Sequence, residues 1–260
     1  MASNLSTIGF VFPDEETFRT RMMTCAAETG ARLPCTSGEY GVWQSRTGAQ
    51  VWFHMARNEA GETEIYGLTP FFEGKSEIPL HLTSAIHREA DNPFEGALHG
   101  WVNPDGNGSG AYPVVFDCID IARLDASALP SVRPVRLVAF ARQLTAFSDE
   151  AAFNDAHAGG DAPHLAGKAF IPIGMFDADQ QGKVSGAAPV PHSTALLTGK
   201  VVEYNRLTNE VTNQDFDWML VETLDATLDV IADPAIVRGS PREGSIVEVS
   251  ALLFGRVLDS

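Results

Sequence analysis

Apolar and polar residues alternate along Thr7-Ile8-Gly9-Phe10-Val11-Phe12, and this period of two predicts a first strand that Pro13 ends. Asp14-Glu15-Glu16 then places acids in a first helical turn, with Phe18, Met22 and Cys25-Ala26 following at three-to-four-residue spacing. Gly30 is the expected C-cap of that helix. Tyr40 to Ser45 and Ala49 to Met55, joined by Arg46-Thr47-Gly48, read as a hairpin. A second turn over Asn58 to Gly61 leads into the strand Glu64 to Thr69. The predicted N-terminal order is therefore β-α-β-β-β.

The middle of the chain, from about residue 73 to residue 192, is richer in loop formers. Strands are expected at Tyr112 to Cys118 and from Pro134 through Phe140 towards Phe147. Ser148 is a suitable N-cap for a short helix over Asp149 to His157, and Ala169 to Phe176 is strand-like with an edge proline. Residues 158–163 read as a loop and residues 177–192 as a linker or crossover. Regular alternation returns at Ala195 to Tyr204, at Asp217 to Leu224 paired with Thr227 to Ala232 across Asp225-Ala226, and at Ser245 to Val257. Closely spaced strands with glycine bends suit a small closed barrel. The expected fold class is thus α+β, mainly β, with a mixed domain over residues 1–192 and a barrel domain over residues 193–260.

Composition narrows the function. The chain has 260 residues and a formal net charge of −16, with 44% apolar and 20% charged residues, so it can bury an ordinary core. An acidic chain of this kind repels a phosphate backbone, and nucleic acid is not an expected partner. The start has no basic segment followed by an apolar run of signal-peptide length, and no stretch has the length of a membrane span. A soluble cytoplasmic protein without membrane contact is expected. Cys25, Cys35 and Cys118, odd in number and at no metal-ligand spacing, read as reduced structural thiols; a Cys25 to Cys35 disulfide is the alternative.

The β-α-β-β-β order over residues 7 to 72 resembles one module of the vicinal-oxygen-chelate superfamily. That resemblance implies paired modules forming a cup that often holds a divalent metal. The metal ligands there come from the first and last strands of each module. Here the first strand carries no ligand side chain and the last offers Glu64 alone, so the topology carries over without the metal. The C-terminal segment, through Thr198-Gly199-Lys200-Val201 and Glu243-Gly244-Ser245-Ile246-Val247, resembles an OB-like barrel. It is also similar to a bacterial family of unknown function in which Thr-Gly-x-Val, Asp-Val-x-Ala-Asp-Pro and Gly-x-Ile-Val elements recur, and no activity comes with that similarity. OB-like barrels often bind oligonucleotides through basic and aromatic faces. This one has five bases, Lys200, Arg206, Arg238, Arg242 and Arg256, against eleven acids, which favours a structural or protein-binding role.

Candidate chemistry is sparse. His81, His87 and His99 lie near Glu89, Asp91 and Glu95 at spacings that match no zinc pattern. His54, between Phe53 and Met55, reads first as a hydrogen-bonded strand residue. Two loops, Asn103 to Gly108 and Asp177 to Gly182, imitate a calcium loop but have Val114 and Ala188 where the bidentate glutamate belongs. Neither a nucleophile elbow nor a phosphate loop is present. No cofactor and no metal is expected. The aromatic residues Tyr40, Trp43, Trp52, Phe71, Phe72, Trp101 and Tyr112 concentrate in the first half and read mainly as core, with a pocket among them as the place to look for a ligand. The candidate ligand-binding residues are Trp43, Trp52, His54, Glu64, His99 and Trp101. A non-catalytic binding or interaction protein, with a protein partner or a small-molecule ligand, is the first expectation. A metal-dependent or general-base enzyme using His54, Glu64 and His99 is the second, and an oligonucleotide-binding barrel the third.

Overall fold

The computed structural model describes residues 4–88, 90–158, 165–175 and 190–258. The architecture is mainly β with two α-helices among the described residues, in keeping with the expected class. Helix α1 (Glu15–Ala27) begins as its sequence dictates: Asp14 Oδ1 accepts the Thr17 N–H at 2.7 Å, and Met22, Cys25 and Ala26 are buried at successive turns. It ends earlier than expected. Glu28 caps it, and Gly30 instead donates its N–H to the Val42 carbonyl. Strands β1 (Ala31–Cys35), β2 (Gly38–Gln44), β3 (Ala49–Arg57) and β4 (Thr63–Phe72) then form an antiparallel four-stranded meander. The hairpin and the strand after it match the sequence pattern, while β1 was hidden by Pro34, which an edge strand tolerates.

The strand expected over residues 7–12 is absent. Ser6–Ile8 forms a 3-10 turn closed by Gly9, whose φ of +80° lies in the left-handed region, and no strand follows before α1. The carbonyls of Ile8 and Gly9 accept hydrogen bonds from the Asn209 amide and the Thr212 hydroxyl, so this backbone is satisfied by side chains rather than by a ladder. Ile8 and Phe10 are buried as a plug, with Phe10 edge-on to Trp43. The observed order is therefore α-β-β-β-β, and the correspondence with a vicinal-oxygen-chelate module loses its first strand.

The remaining strands form one larger sheet: β5 (Ile78–Ile86), β6 (Ala97–Val102), β7 (Tyr112–Cys118), β8 (Ser131–Phe147), β9 (Ala169–Ile171), β10 (Thr194–Asn209), β11 (Gln214–Thr223), β12 (Ala226–Ala232), β13 (Val237–Arg238) and β14 (Ile246–Val257). The short helix α2 (Glu150–His157) follows β8 and is capped by Asp149, one residue after the expected Ser148, because the Asp149 carboxylate accepts the Ala152 N–H. The loop expected at residues 158–163 and the linker at 177–192 lie largely outside the described residues, as does the second calcium-like loop.

Pairing in this sheet closes two rings. One runs β10-β11-β12-β8-β14 and back to β10, with β12 parallel to β8 and every other contact antiparallel. The other runs β5-β6-β7-β14-β8 and back to β5, with β7 parallel to β14 and the rest antiparallel. Each ring consists of a three-strand meander, the long strand that follows that meander in sequence, and the long strand belonging to the other. The long strands β8 and β14 are thus common to both rings, and they pair along Val135 to Phe147. The boundary expected at residues 192 and 193 falls between β9 and β10, which are hydrogen-bonded to each other.

Alternation along the strands sorts the core into two clusters. Leu137, Ala139 and Ala141 of β8 join Val249, Ala251 and Leu253 of β14 and the inward residues of both meanders. Val138 and Phe140 of β8, Phe254 of β14 and Phe216, Trp218 and Ile231 of β11 and β12 pack instead with the four-stranded sheet and α1. Strand β3 is buried along Ala49 to Met55, on both faces.

A buried carboxylate fixes the link between the two sheets. Asp229, fully buried on β12, accepts the backbone N–H groups of Lys75 and Ser76 at 3.0 and 2.6 Å and the Trp218 indole N–H at 2.8 Å. Gly74 makes this approach possible, since a Cβ there would lie 2.2 Å from the Asp229 carboxyl carbon. Asp229→Ala is expected to lower unfolding free energy by about 3 to 5 kcal/mol, because three buried donors lose their acceptor. Urea denaturation checks this, and Gly74→Ala should destabilise in the same direction.

Candidate functional site

The side chains singled out in the sequence do not meet at one place. Trp43 is buried against Phe10, and Trp52, with 1% exposure, donates its indole N–H to Gln50 Oε1. Glu64 is exposed near the start of β4. His99 and Trp101 lie together on β6, rings 6.2 Å apart, with His99 Nδ1 2.6 Å from the Thr83 hydroxyl; burial lowers the His99 pKa. Trp52 and His54 form a second neighbourhood, both edge-on to Tyr40. Among the described residues no group of three His, Cys, Asp or Glu side chains is arranged to hold a metal ion. The three cysteines are free thiols, so Cys25 and Cys35 are not bridged. The Asn103 to Gly108 loop is closed on itself, Asp105 accepting from the Asn107 and Ser109 backbone and the Ser109 hydroxyl.

His54 nevertheless lies behind a polar cleft, in contact with Thr69, Phe94 and Glu95 of its lining. It sits on β3 opposite Tyr40 of β2 and Gly67 of β4. The absent side chain at Gly67 leaves room above the imidazole, where Asn92 Nδ2 comes within 3.3 Å of His54 Nδ1. Asn92 is oriented by its own Oδ1, which accepts the Phe94 N–H at 2.8 Å, so its Nδ2 is the group that faces the ring. His54 Nδ1 is then the acceptor and Nε2 carries the proton towards the Thr69 hydroxyl at 3.1 Å. Burial lowers the His54 pKa from 6.5 to about 4, which agrees with this neutral tautomer. Phe94 stacks on the ring at 5.3 Å. In this state the imidazole has no free lone pair for Thr69, so the chain Thr69-His54-Asn92 is a positioning network and not a nucleophile with its base.

The cleft itself, about 210 Å³, opens between Thr69 and Pro70 of β4, the loop carrying Arg88 to Gly96, and Asp117 at the end of β7, with Asn4 at its rim. Arg88 Nη1 donates to Asp117 Oδ1 at 2.8 Å and lies 3.9 Å from Asp91. Asp91 also accepts the Arg88 backbone N–H. Glu95 Oε1 stands 3.8 Å from His54 Nδ1, and burial, reinforced by Asp91 and Asp117, raises its pKa. Of the residues that line the cleft, two have a buried atom without a hydrogen-bond partner among the described residues, Arg88 at Nη2 and Asn4 at Oδ1. Sequence reasoning noted Asp91 and Glu95 only as neighbours of the histidines and missed Arg88 and Asn92. Their loop has no periodicity, and only its mixture of charge with Pro93 and Gly96 could have drawn attention to it.

The buried imidazole carries a pH signature. The unfolded chain takes up a proton below about pH 6.5 that folded His54 accepts only near pH 4, so its contribution is complete above pH 6.5 and is lost as pH falls towards 4. The loss amounts to about 3 kcal/mol. Unfolding free energies measured from pH 7 to pH 4 should fall less steeply in His54→Gln than in the wild type; equal slopes would show that the imidazole is not held neutral.

Comparison of the chain with protein-family models, with curated proteins and with solved structures finds no match.

Proposed function

We propose that the protein is a non-catalytic binding protein whose cleft between β4, the Arg88 to Gly96 loop and the end of β7 receives a small polar ligand. One observation carries this reading: a donor, Arg88 Nη2, and an acceptor, Asn4 Oδ1, are buried without partners on the wall of the same cleft. Leaving such groups unpaired costs about 1 to 3 kcal/mol each, and a ligand offering both an acceptor and a donor would recover it. Asp91, Glu95 and Asp117 against Arg88 alone give the cleft an acidic balance, which suits a ligand rich in donors, such as an amine, amino acid or polyol. His54, Asn92 and Thr69 act in this reading as the rigid backing of the wall.

The finer architectural and cellular readings belong to the same proposal. The C-terminal ring is taken as the OB-like barrel, supported by its closure through five strands, although it draws one of them, β8, from outside residues 193–260. The net charge of −16 supports a partner other than nucleic acid. Free thiols, two of them buried, support a cytoplasmic setting. Among the described residues no helix is long and apolar enough to cross a membrane.

A thermal-shift screen of amines, amino acids and polyols tests the function. At least one compound should raise the melting temperature of the wild type, with affinity reduced about tenfold or more in Arg88→Gln and in Glu95→Gln. No shift with any of these compounds, or an identical shift in both variants, would remove the cleft as the binding site.

A further inference from the structure

A second recess lies on the far side of Cys118, the one residue it shares with the cleft. It encloses about 160 Å³ where the ends of β7 and β14 meet the start of β8, and three arginines line it: Arg123, Arg133 and Arg256. In a chain with only 18 basic residues and a net charge of −16, three guanidinium groups around one hollow are a local reversal of sign. Their acidic partners do not use them up. Asp120, with 7% exposure, accepts from Cys118 Sγ at 3.6 Å, while its Oδ2 is 3.7 Å from both Arg123 Nη1 and Arg256 Nε, beyond hydrogen-bond distance. Asp125 is occupied by the Ser127 N–H and hydroxyl, at 2.9 and 2.7 Å.

Two of the arginines also have a buried nitrogen, Nε in each, without a hydrogen-bond partner among the described residues: Arg133 and Arg256. Both side chains also have contacts outside the recess. Arg133 Nη2 donates to the Leu258 carbonyl at 3.4 Å. Arg256 lies with its guanidinium carbon 5.4 Å from the centre of the Trp52 indole and its Nη1 3.9 Å from Glu73. Arg133 and Arg256 are therefore oriented in part by contacts outside the recess, which lowers the cost of receiving an anion.

We propose that this recess is a binding site for a small oxyanion, either free phosphate or the phosphoryl group of a small phosphomonoester. Fixed guanidinium forks match the tetrahedral oxygens of phosphate, and the unpaired Nε groups supply the donors. Asp120 is the group the anion displaces electrostatically, since it is the one carboxylate placed between two of the arginines.

Isothermal titration calorimetry with inorganic phosphate, and separately with glycerol 3-phosphate against glycerol, tests the assignment on the full chain. Saturable binding of phosphate, of the ester or of both is expected, and the stronger of the two identifies the source. Arg123→Gln and Arg133→Gln should each weaken it about tenfold. Asp120→Asn should strengthen it by removing the competing carboxylate, which a merely structural arginine cluster would not show. The exposed Arg57→Gln should bind as the wild type does. No saturable binding to either compound, unchanged affinity in both Arg123→Gln and Arg133→Gln, or an equal loss in Arg57→Gln would overturn the proposal. Arg123 is part-exposed, so its variant keeps the test interpretable if the Arg133 variant fails to fold.

Discussion

Everything in this fold depends on the antiparallel pairing of β8 with β14. Each strand completes the ring of the other's meander, so both rings close only when these two strands lie side by side from Val135 to Phe147. The pair is also the floor of the four-stranded sheet, because Val138, Phe140 and Phe254 point to that side while Leu137, Ala139 and Leu253 point into the rings. A strand with both faces covered must be apolar without interruption, and Leu137-Val138-Ala139-Phe140-Ala141 is such a run. The cleft and the arginine recess both lie at the Arg256 end of this pair, where Phe254 lines the one and Arg133, Arg256 and Val257 the other.

The apolar boundary between the sheets also carries a set of polar links. Asp229 holds the 74–76 turn, Glu73 meets Arg136 and Arg256, and Gln50 joins Trp52 to Glu73. Hydrophobic contacts alone would let one sheet slide over another at little cost. Directed hydrogen bonds to a buried carboxylate select a single register between the two layers. Arg256 belongs to this seam and to the recess at once, so the geometry of the recess is set by how the four-stranded sheet sits on the rings.

The legible parts of the sequence were those where a local signal decides the structure. Asp14 before an acidic first turn, Arg46-Thr47-Gly48 between alternating runs, and the C-terminal glycine bends each specify their element without reference to the rest of the chain. Elements whose existence depends on a partner were harder to read. Strands β5 and β6 carry His81, His99, Pro79 and Gly100 and pass for loop until β8 and β7 pair with them. The opposite error arose at Thr7 to Phe12, whose alternation describes a buried plug around a left-handed glycine. The same physics governs the candidate residues. Trp43 and Trp52 suggest pocket lining by their type, but both are buried as core, Trp43 on β2 and Trp52 on β3, whose two faces are covered. His54 could be located as a strand histidine, whereas Asn92 and Arg88, which give it and the cleft their chemistry, come from a loop whose approach only the tertiary fold determines.

The exchange of long strands between the rings bears on how the protein is made. During synthesis the first meander, β5 to β7, emerges with its own strand β8, yet its ring still needs β14, which lies more than a hundred residues further along the chain. The second ring has the complementary need, and its missing strand has been waiting since the first was translated. Neither ring can therefore close before β14 is made, and the edges of β7 and β8 that pair with it remain open until then. Both halves thus share a dependence on one strand, β14, whose pairing with β8 closes the two rings together.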